Sequence, residues 1–224
     1  MIDSVALYAG TVAALGGAIS MLRKRSRRTG AIVAATGTAI AAAALFWPVP
    51  EMKRATGDTL LDQHFTKWQF DEVHTIDVTA APDRAYDAIR KVTSREILLF
   101  RTLTAIRRFG RPAPEGILNA PKDEPILDVA TRTSFRLLAD APPREIVVGI
   151  AIIPPRRAVG AMNFLVTPID ATHSRITTET RVYAADPQAR RLFAGYWRII
   201  HPGSDIIRRM WLRAIKRRAE RPRS

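Results

Sequence analysis

The sequence predicts an α+β fold, an antiparallel sheet with a long C-terminal helix, preceded by two transmembrane helices. Three observations predict it. Two runs within the first fifty residues are free of charge, two-residue alternations recur between Asp128 and Ala184, and one apolar stripe at helical spacing runs from Leu192 to Ala214. The 224 residues divide into a hairpin (1–50), a linker with a connector helix (51–72), the α+β domain (73–220) and a basic tail (221–224). With 47% hydrophobic and 25% charged residues the chain can build a core, which excludes a disordered protein. The absence of cysteine excludes a disulfide framework, a Cys-ligated metal and a thiol nucleophile. Lys and Arg number 35 against 21 Asp and Glu, and a net charge of +14 points to an anionic partner.

Val5 to Leu22 and Ala31 to Trp47 carry no charged side chain and flank Arg23-Lys24-Arg25-Ser26-Arg27-Arg28. Each run approaches the ~20 residues that cross a hydrocarbon core. Small residues four apart, Ala6/Gly10/Ala14 and Gly30/Ala34/Thr38, allow two helices to approach closely in lipid. The five basic residues between the spans place that loop in the cytoplasm by the positive-inside rule. The chain then reads as a multi-pass protein of the cell membrane, held through residues 5–22 and 31–47, with its C-terminal domain extracytoplasmic.

Trp47-Pro48-Val49-Pro50 ends the second span, and Leu61, His64, Phe65 and Trp68 fall at helical spacing in a connector. His74/Ile76/Val78 alternate with Val73/Thr75/Asp77 as in a strand. Ala81-Pro82-Asp83 opens a helix carrying Ala85, Ile89 and Val92, and a second helix from Arg95 to Arg108 aligns Leu99, Leu103 and Ile106. Gly110 to Pro125 reads as loop with a short strand around Ile117. Four strands follow, at Val129–Ala139, Glu145–Ile153, Val159–Thr167 and Arg175–Tyr183, with Pro142-Pro143, Pro154-Pro155 and Pro168 at the turns. Asp186-Pro187 caps the last helix, which His201-Pro202-Gly203 interrupts and Ser204 can restart.

This order resembles the START-like, Bet v 1-type helix-grip superfamily (SRPBCC), which includes bacterial polyketide cyclase/dehydrase and lipid-transport proteins. Val78-Thr79-Ala80-Ala81-Pro82-Asp83-Arg84-Ala85-Tyr86-Asp87-Ala88-Ile89 is similar to that family's first strand and helix, and Thr177-Thr178-Glu179-Thr180-Arg181-Val182 to its last strand. Tyr196-Trp197-Arg198-Ile199-Ile200-His201-Pro202-Gly203-Ser204 resembles a closing-helix sequence of bacterial members, and the likeness spans Val73 to Glu220. It implies an antiparallel sheet curved around the long C-terminal helix and an internal apolar cavity that binds or transfers a hydrophobic small molecule or lipid. The alternative it implies is a cyclase- or dehydrase-type enzyme using the same cavity, a reading that rests on fold analogy alone.

The cavity candidates are Phe135, Leu137, Val148, Ile150, Met162 and Phe164 from the strands, with Ile146, Ile152 and Val166 on the same faces, and Leu192, Phe193, Tyr196 and Trp197 from the helix. The same residues also suit a filled core. Glu179, Arg181 and Tyr183 share one strand face and form the acid–base cluster to test if that face is inward. Ile176 and Val182 on the opposite face argue that it is outward. His64, His74, His173 and His201 each stand alone, and no ligand pattern for a metal or other cofactor and no nucleotide-binding glycine motif is present.

Eight basic residues against Glu220 fall between Arg208 and Arg223. Arg208, Arg209, Arg213, Lys216 and Arg217 around Ile207, Met210 and Trp211 suit an anionic lipid surface, or equally a solvated basic face that complements the helix dipole. Nucleic acid is the poorer partner, because exposed aromatics are not interleaved among the basic residues.

Overall fold

The computed structural model describes residues 2–23, 26–108, 110–153 and 157–222. The turn expected at Pro154-Pro155 and the side chain of Ile152 lie outside the described residues. The chain forms two compact units, one of residues 1–50 with 190–202, the other of residues 51–189 with 203–224.

In the first unit α1 (Ile2–Met21) and α2 (Arg27–Leu45) are the two apolar helices expected. Their contact is backbone to backbone. A Cβ added at Gly10 would stand 2.7 Å from the Gly37 carbonyl oxygen, and one at Gly17 the same 2.7 Å from that of Gly30. The glycines that matter are therefore seven apart in each helix, a tighter seam than the four-residue spacing of Ala6 or Thr38. Val5, Val12, Leu15, Ile19 and Ile32 are exposed, so little of either apolar helix is covered by protein. By length and composition both helices can cross a membrane.

The second unit is a five-stranded antiparallel sheet of order β3-β7-β6-β5-β4, built from β3 (Phe70–Val78), β4 (Arg136–Ala141), β5 (Glu145–Ile153), β6 (Ala158–Pro168) and β7 (Ser174–Ala184). Consecutive strands β4 to β7 form the expected meander, and the first long strand joins it at the β7 edge. Its inner face, with Ile146, Val148, Met162, Phe164, Val166 and Ile176, packs against α4 (Pro82–Lys91), α6 (Ile126–Thr133) and the later part of α7 (Pro187–Ala219) through Ile89, Leu127, Trp211, Leu212 and Ile215. Its outer face is covered in part. The segment read as a linker forms β1 (Lys53–Arg54), α3 (Leu60–His64) and β2 (Lys67–Trp68), and Leu61 packs there on Val147 and Ala161. Burial on both faces explains why β5 reads as a continuous apolar run.

Four expectations need correction. The strand expected from Val129 is instead α6 followed by β4, because Ile126, Leu127, Val129 and Ala130 are buried at helical spacing. The helix expected from Arg95 is only α5 (Phe100–Arg107), since Leu99 is left-handed at φ 60° and blocks extension toward Arg95. Its buried residues are Phe100 and Thr104, while Leu99 and Ile106 are exposed. Helix α7 runs through Pro202 without a restart, and the Ser204 hydroxyl donates to Glu72 rather than capping. Around Ile117 the chain is loop, and the local pairing is a bridge between Thr93 and Pro125.

Candidate functional site

Alternation along β3 turns Phe70, Glu72, His74 and Val78 to the buried side and leaves Val73, Thr75 and Asp77 exposed. Two ionisable side chains thus enter the face that forms the core. On α7, Ser204, Arg208, Trp211 and Ile215 share one stripe by their spacing of three and four. Here the two elements meet: His74 Nε2 lies 2.7 Å from Glu72 Oε1, Ser204 Oγ donates to Glu72 Oε2 at 3.0 Å, and Asp205 Oδ1 is 3.6 Å from the imidazole.

Arg208 sits beside this cluster with one guanidinium nitrogen unbonded. Its Nη1 is buried and makes no hydrogen bond, and neither does the buried Nε1 of Trp211 one turn further on. The guanidinium carbon is 5.4 Å from the Trp211 ring centroid, so the two open donors occupy one neighbourhood. Burial draws the Arg208 guanidinium below its ordinary range, the Glu72 charge opposes this and Arg107 reinforces it. Both acids nearby are engaged. Glu72 is held by His74 and Ser204, and the two oxygens of Asp205 accept from Arg209 at 2.8 and 3.1 Å. Ile207, Met210, Phe135 and Ile117 pack around the core as partly buried apolar side chains.

Glu72, His74 and Asp205 bring their ligand atoms within 4.8 Å of one another, close enough to share a metal ion. Their surroundings disfavour one. Arg209 already neutralises Asp205, and Arg208 adds positive charge that acts on Glu72. A further cation would be repelled where an anion would be attracted.

The acid–base candidates lie elsewhere. Glu179 and Arg181 are on the face opposite Ile176 and Val182, the outward arrangement, but they are not solvated. Arg181 is 5% exposed, ion-paired to Asp62 Oδ1 at 2.6 Å and to Glu179 Oε1 at 2.6 Å, and it lies 3.8 Å over the Trp68 ring. Burial pushes the Asp62 carboxyl up, but Arg181 and the amides of Asp58 and Thr59 outweigh it and hold it below its ordinary value. This network, in which Trp68 Nε1 stays unbonded, ties the 51–69 segment to the sheet. Tyr183 is half-buried on the same strand face.

The cavity candidates separate into two groups. Val148, Met162 and Phe164 are buried in the sheet core with Phe135 against them, Ile150 is half-buried and Leu137 is exposed. From α7 it is Trp211, Leu212 and Ile215 that join this core. In the hairpin unit Phe193 instead meets Tyr196 edge-on and stacks on Trp197, at centroid distances of 5.7 and 5.8 Å, and Leu192 is exposed. In that unit Arg198 donates to the carbonyls of Leu45, Trp47 and Pro48, satisfying the C-terminal end of α2. A surface pocket of about 360 Å³ is lined by Asp83, Arg84, Asp87, Ala88, Arg218 and Ala219, none of them a cavity candidate. Of the basic residues assigned to a lipid surface, Arg209, Arg213 and Arg217 are exposed and Lys216 is tied to Glu220, whereas the Nη1 of Arg208 points into the protein interior. His173 is exposed in a turn beside Asp170.

Sequence reasoning missed Glu72 and His74 as a site. The signal was their parity with Phe70 and Val78 on one strand. It missed the orientation of Arg208 because residue type outweighed its position three before Trp211.

No family model and no curated protein matches the chain. Among solved structures, it is similar to a conserved protein from Geobacillus kaustophilus, with 9% identity over 67% of this chain and 95% of that one and a TM-score of 0.39. The di-domain ARO/CYC BexL from the BE-7585A biosynthetic pathway matches at 11% identity over 90% of this chain and 60% of that one, with a TM-score of 0.35. CalU16 from Micromonospora echinospora matches at 12% identity over 76% and 94%, with a TM-score of 0.31. Likenesses this distant leave the reading of the site to its own geometry.

Proposed function

We propose that the chain is a membrane-anchored helix-grip module that binds or transfers a hydrophobic small molecule or lipid between its sheet and the later part of α7. The observation that carries this reading is the pair of open donors, Arg208 Nη1 and Trp211 Nε1, buried beside an apolar core. A buried donor without an acceptor costs about 1–3 kcal/mol, and a bound molecule supplies the acceptor. Phe135, Ile207 and Met210, partly buried against the same core that Trp211 joins, suit the apolar part of such a ligand. Access falls to α5, which is held by only two buried residues and exposes Leu98, Leu99 and Ile106. The hairpin raises the local concentration of the module beside lipophilic ligands.

Native mass spectrometry of the full chain, released from membranes in mild nonionic detergent, tests the reading. A stoichiometric co-purifying lipid or apolar metabolite is expected, and repeated isolation of the bare chain from ligand-replete cells overturns it. The membrane placement is tested separately. The chain has no cysteine, so Thr172→Cys in an exposed turn gives a single label site. In intact cells a membrane-impermeant maleimide labels it if the domain is extracytoplasmic.

A second reading, a cyclase- or dehydrase-type enzyme, is favoured by the His74–Glu72 pair, where a carboxylate orients an imidazole for proton transfer. Loss of turnover of a polyketide substrate in His74→Gln, with ligand binding intact, is its expected signature.

A further inference from the structure

We infer that the ligand group held at Arg208 is a full anion, a carboxylate or phosphate at the head of an amphiphile. This deepens the proposed function and rests on it. The argument is one of charge. Arg208 brings a cation to the core edge, its Nη1 is buried and unbonded, and Arg107 adds positive charge. The acids beside it already carry other bonds. Glu72 is fixed by His74 at 2.7 Å and Ser204 at 3.0 Å, and Asp205 is chelated by Arg209. A neutral acceptor would satisfy one N–H but leave the charges of Arg208 and Arg107 balanced only in part by Glu72. An anion satisfies both, and Trp211 Nε1 offers it a second, uncharged donor. The guanidinium fork suits the two oxygens of a carboxylate or phosphate.

The test measures equilibrium binding of oleate, oleyl phosphate and oleyl alcohol to the full chain in neutral nonionic detergent. The wild type is expected to bind both anionic amphiphiles at least tenfold more tightly than the alcohol. Arg208→Leu is expected to erase that preference while leaving alcohol binding in place. Trp211→Phe, which keeps the ring and removes the donor, is expected to weaken the anions about threefold and the alcohol not at all, and serves if Arg208→Leu fails to fold. Equal binding of all three probes to the wild type overturns the anion inference and leaves the hydrophobic-ligand reading standing. Binding of none overturns both. Competition by inorganic phosphate as potent as by oleyl phosphate supports the anion site but assigns it to a free ion, against the amphiphile. An equal loss in Arg213→Gln, an exposed position on the same helix, shows non-specific attraction and overturns the inference.

Discussion

Two arginines on opposite faces of one sheet show how differently a buried charge can be treated. Arg181, on the outer face, is closed in by Asp62, Glu179, the Phe65 carbonyl and the Trp68 ring. Arg208, on the inner side, has neighbours of the right charge, yet each of them is already bonded to something else. The first arrangement compensates the charge of its arginine within the chain, although Trp68 Nε1 makes no hydrogen bond there. The second is complete only with a partner from outside, and that difference separates a structural network from a binding site more clearly than residue type does.

The sharpest way to break the comparison is to remove each arginine and measure stability. Arg181→Met strands Asp62 and Glu179 on the covered part of the outer face, and a loss of about 3–5 kcal/mol in denaturant or thermal unfolding is expected. Arg208→Leu removes an unsatisfied buried group, so the ligand-free protein is expected to gain about 1–3 kcal/mol while anion binding is lost. If both variants lose stability alike, Arg208 is structural too, and the contrast fails.

A gain of about 1 kcal/mol is expected from Leu99→Gly, because the left-handed backbone at φ 60° disfavours a side chain and this one is exposed. Should α5 control access, the same variant slows ligand exchange, measured by displacement of a fluorescent fatty acid. An unchanged exchange rate with raised stability would place the ligand's route elsewhere.

Acid titration sharpens the contrast further. The folded protein holds the Asp62 carboxyl below its ordinary value of 3.8, so the stability it contributes is complete above that value and is lost as pH falls through the lower folded value. Below about pH 4 the wild type is expected to lose stability more steeply than Asp62→Asn, as read from urea midpoints.

The sheet was legible because its signals are local. Strand β5 begins and ends where expected, and β6 and β7 extend one residue further at each end, since an apolar run or alternation bounded by proline or turn residues needs no distant information. Helix α6 was not, because Val129, Thr131 and Thr133 favour a strand by type, and only the packing of Ile126 and Leu127 against the core decides for a helix. The site was half legible. The inward parity of Glu72 and His74 can be read from β3, and the stripe position of Arg208 from α7. Which carboxylate meets which arginine depends on Asp62 and Glu72 being brought to opposite faces of the sheet, and no local pattern carries that.

The smallest expected effect probes how the inner site stays open. Ser204 Oγ holds one oxygen of Glu72 at 3.0 Å while His74 holds the other at 2.7 Å. Ser204→Ala removes one neutral donor to a charged acceptor and is expected to cost about 1 kcal/mol at most, because the freed oxygen finds another cation close by. That cation is Arg208, whose charge already feels Glu72. An internal ion pair would then compete with the incoming anion, so the variant should bind oleate several-fold more weakly with little change in oleyl alcohol binding. Unchanged oleate affinity would mean that Glu72 is kept from Arg208 by the backbone of β3 rather than by the serine, and the restraint would have to be sought in the strand itself.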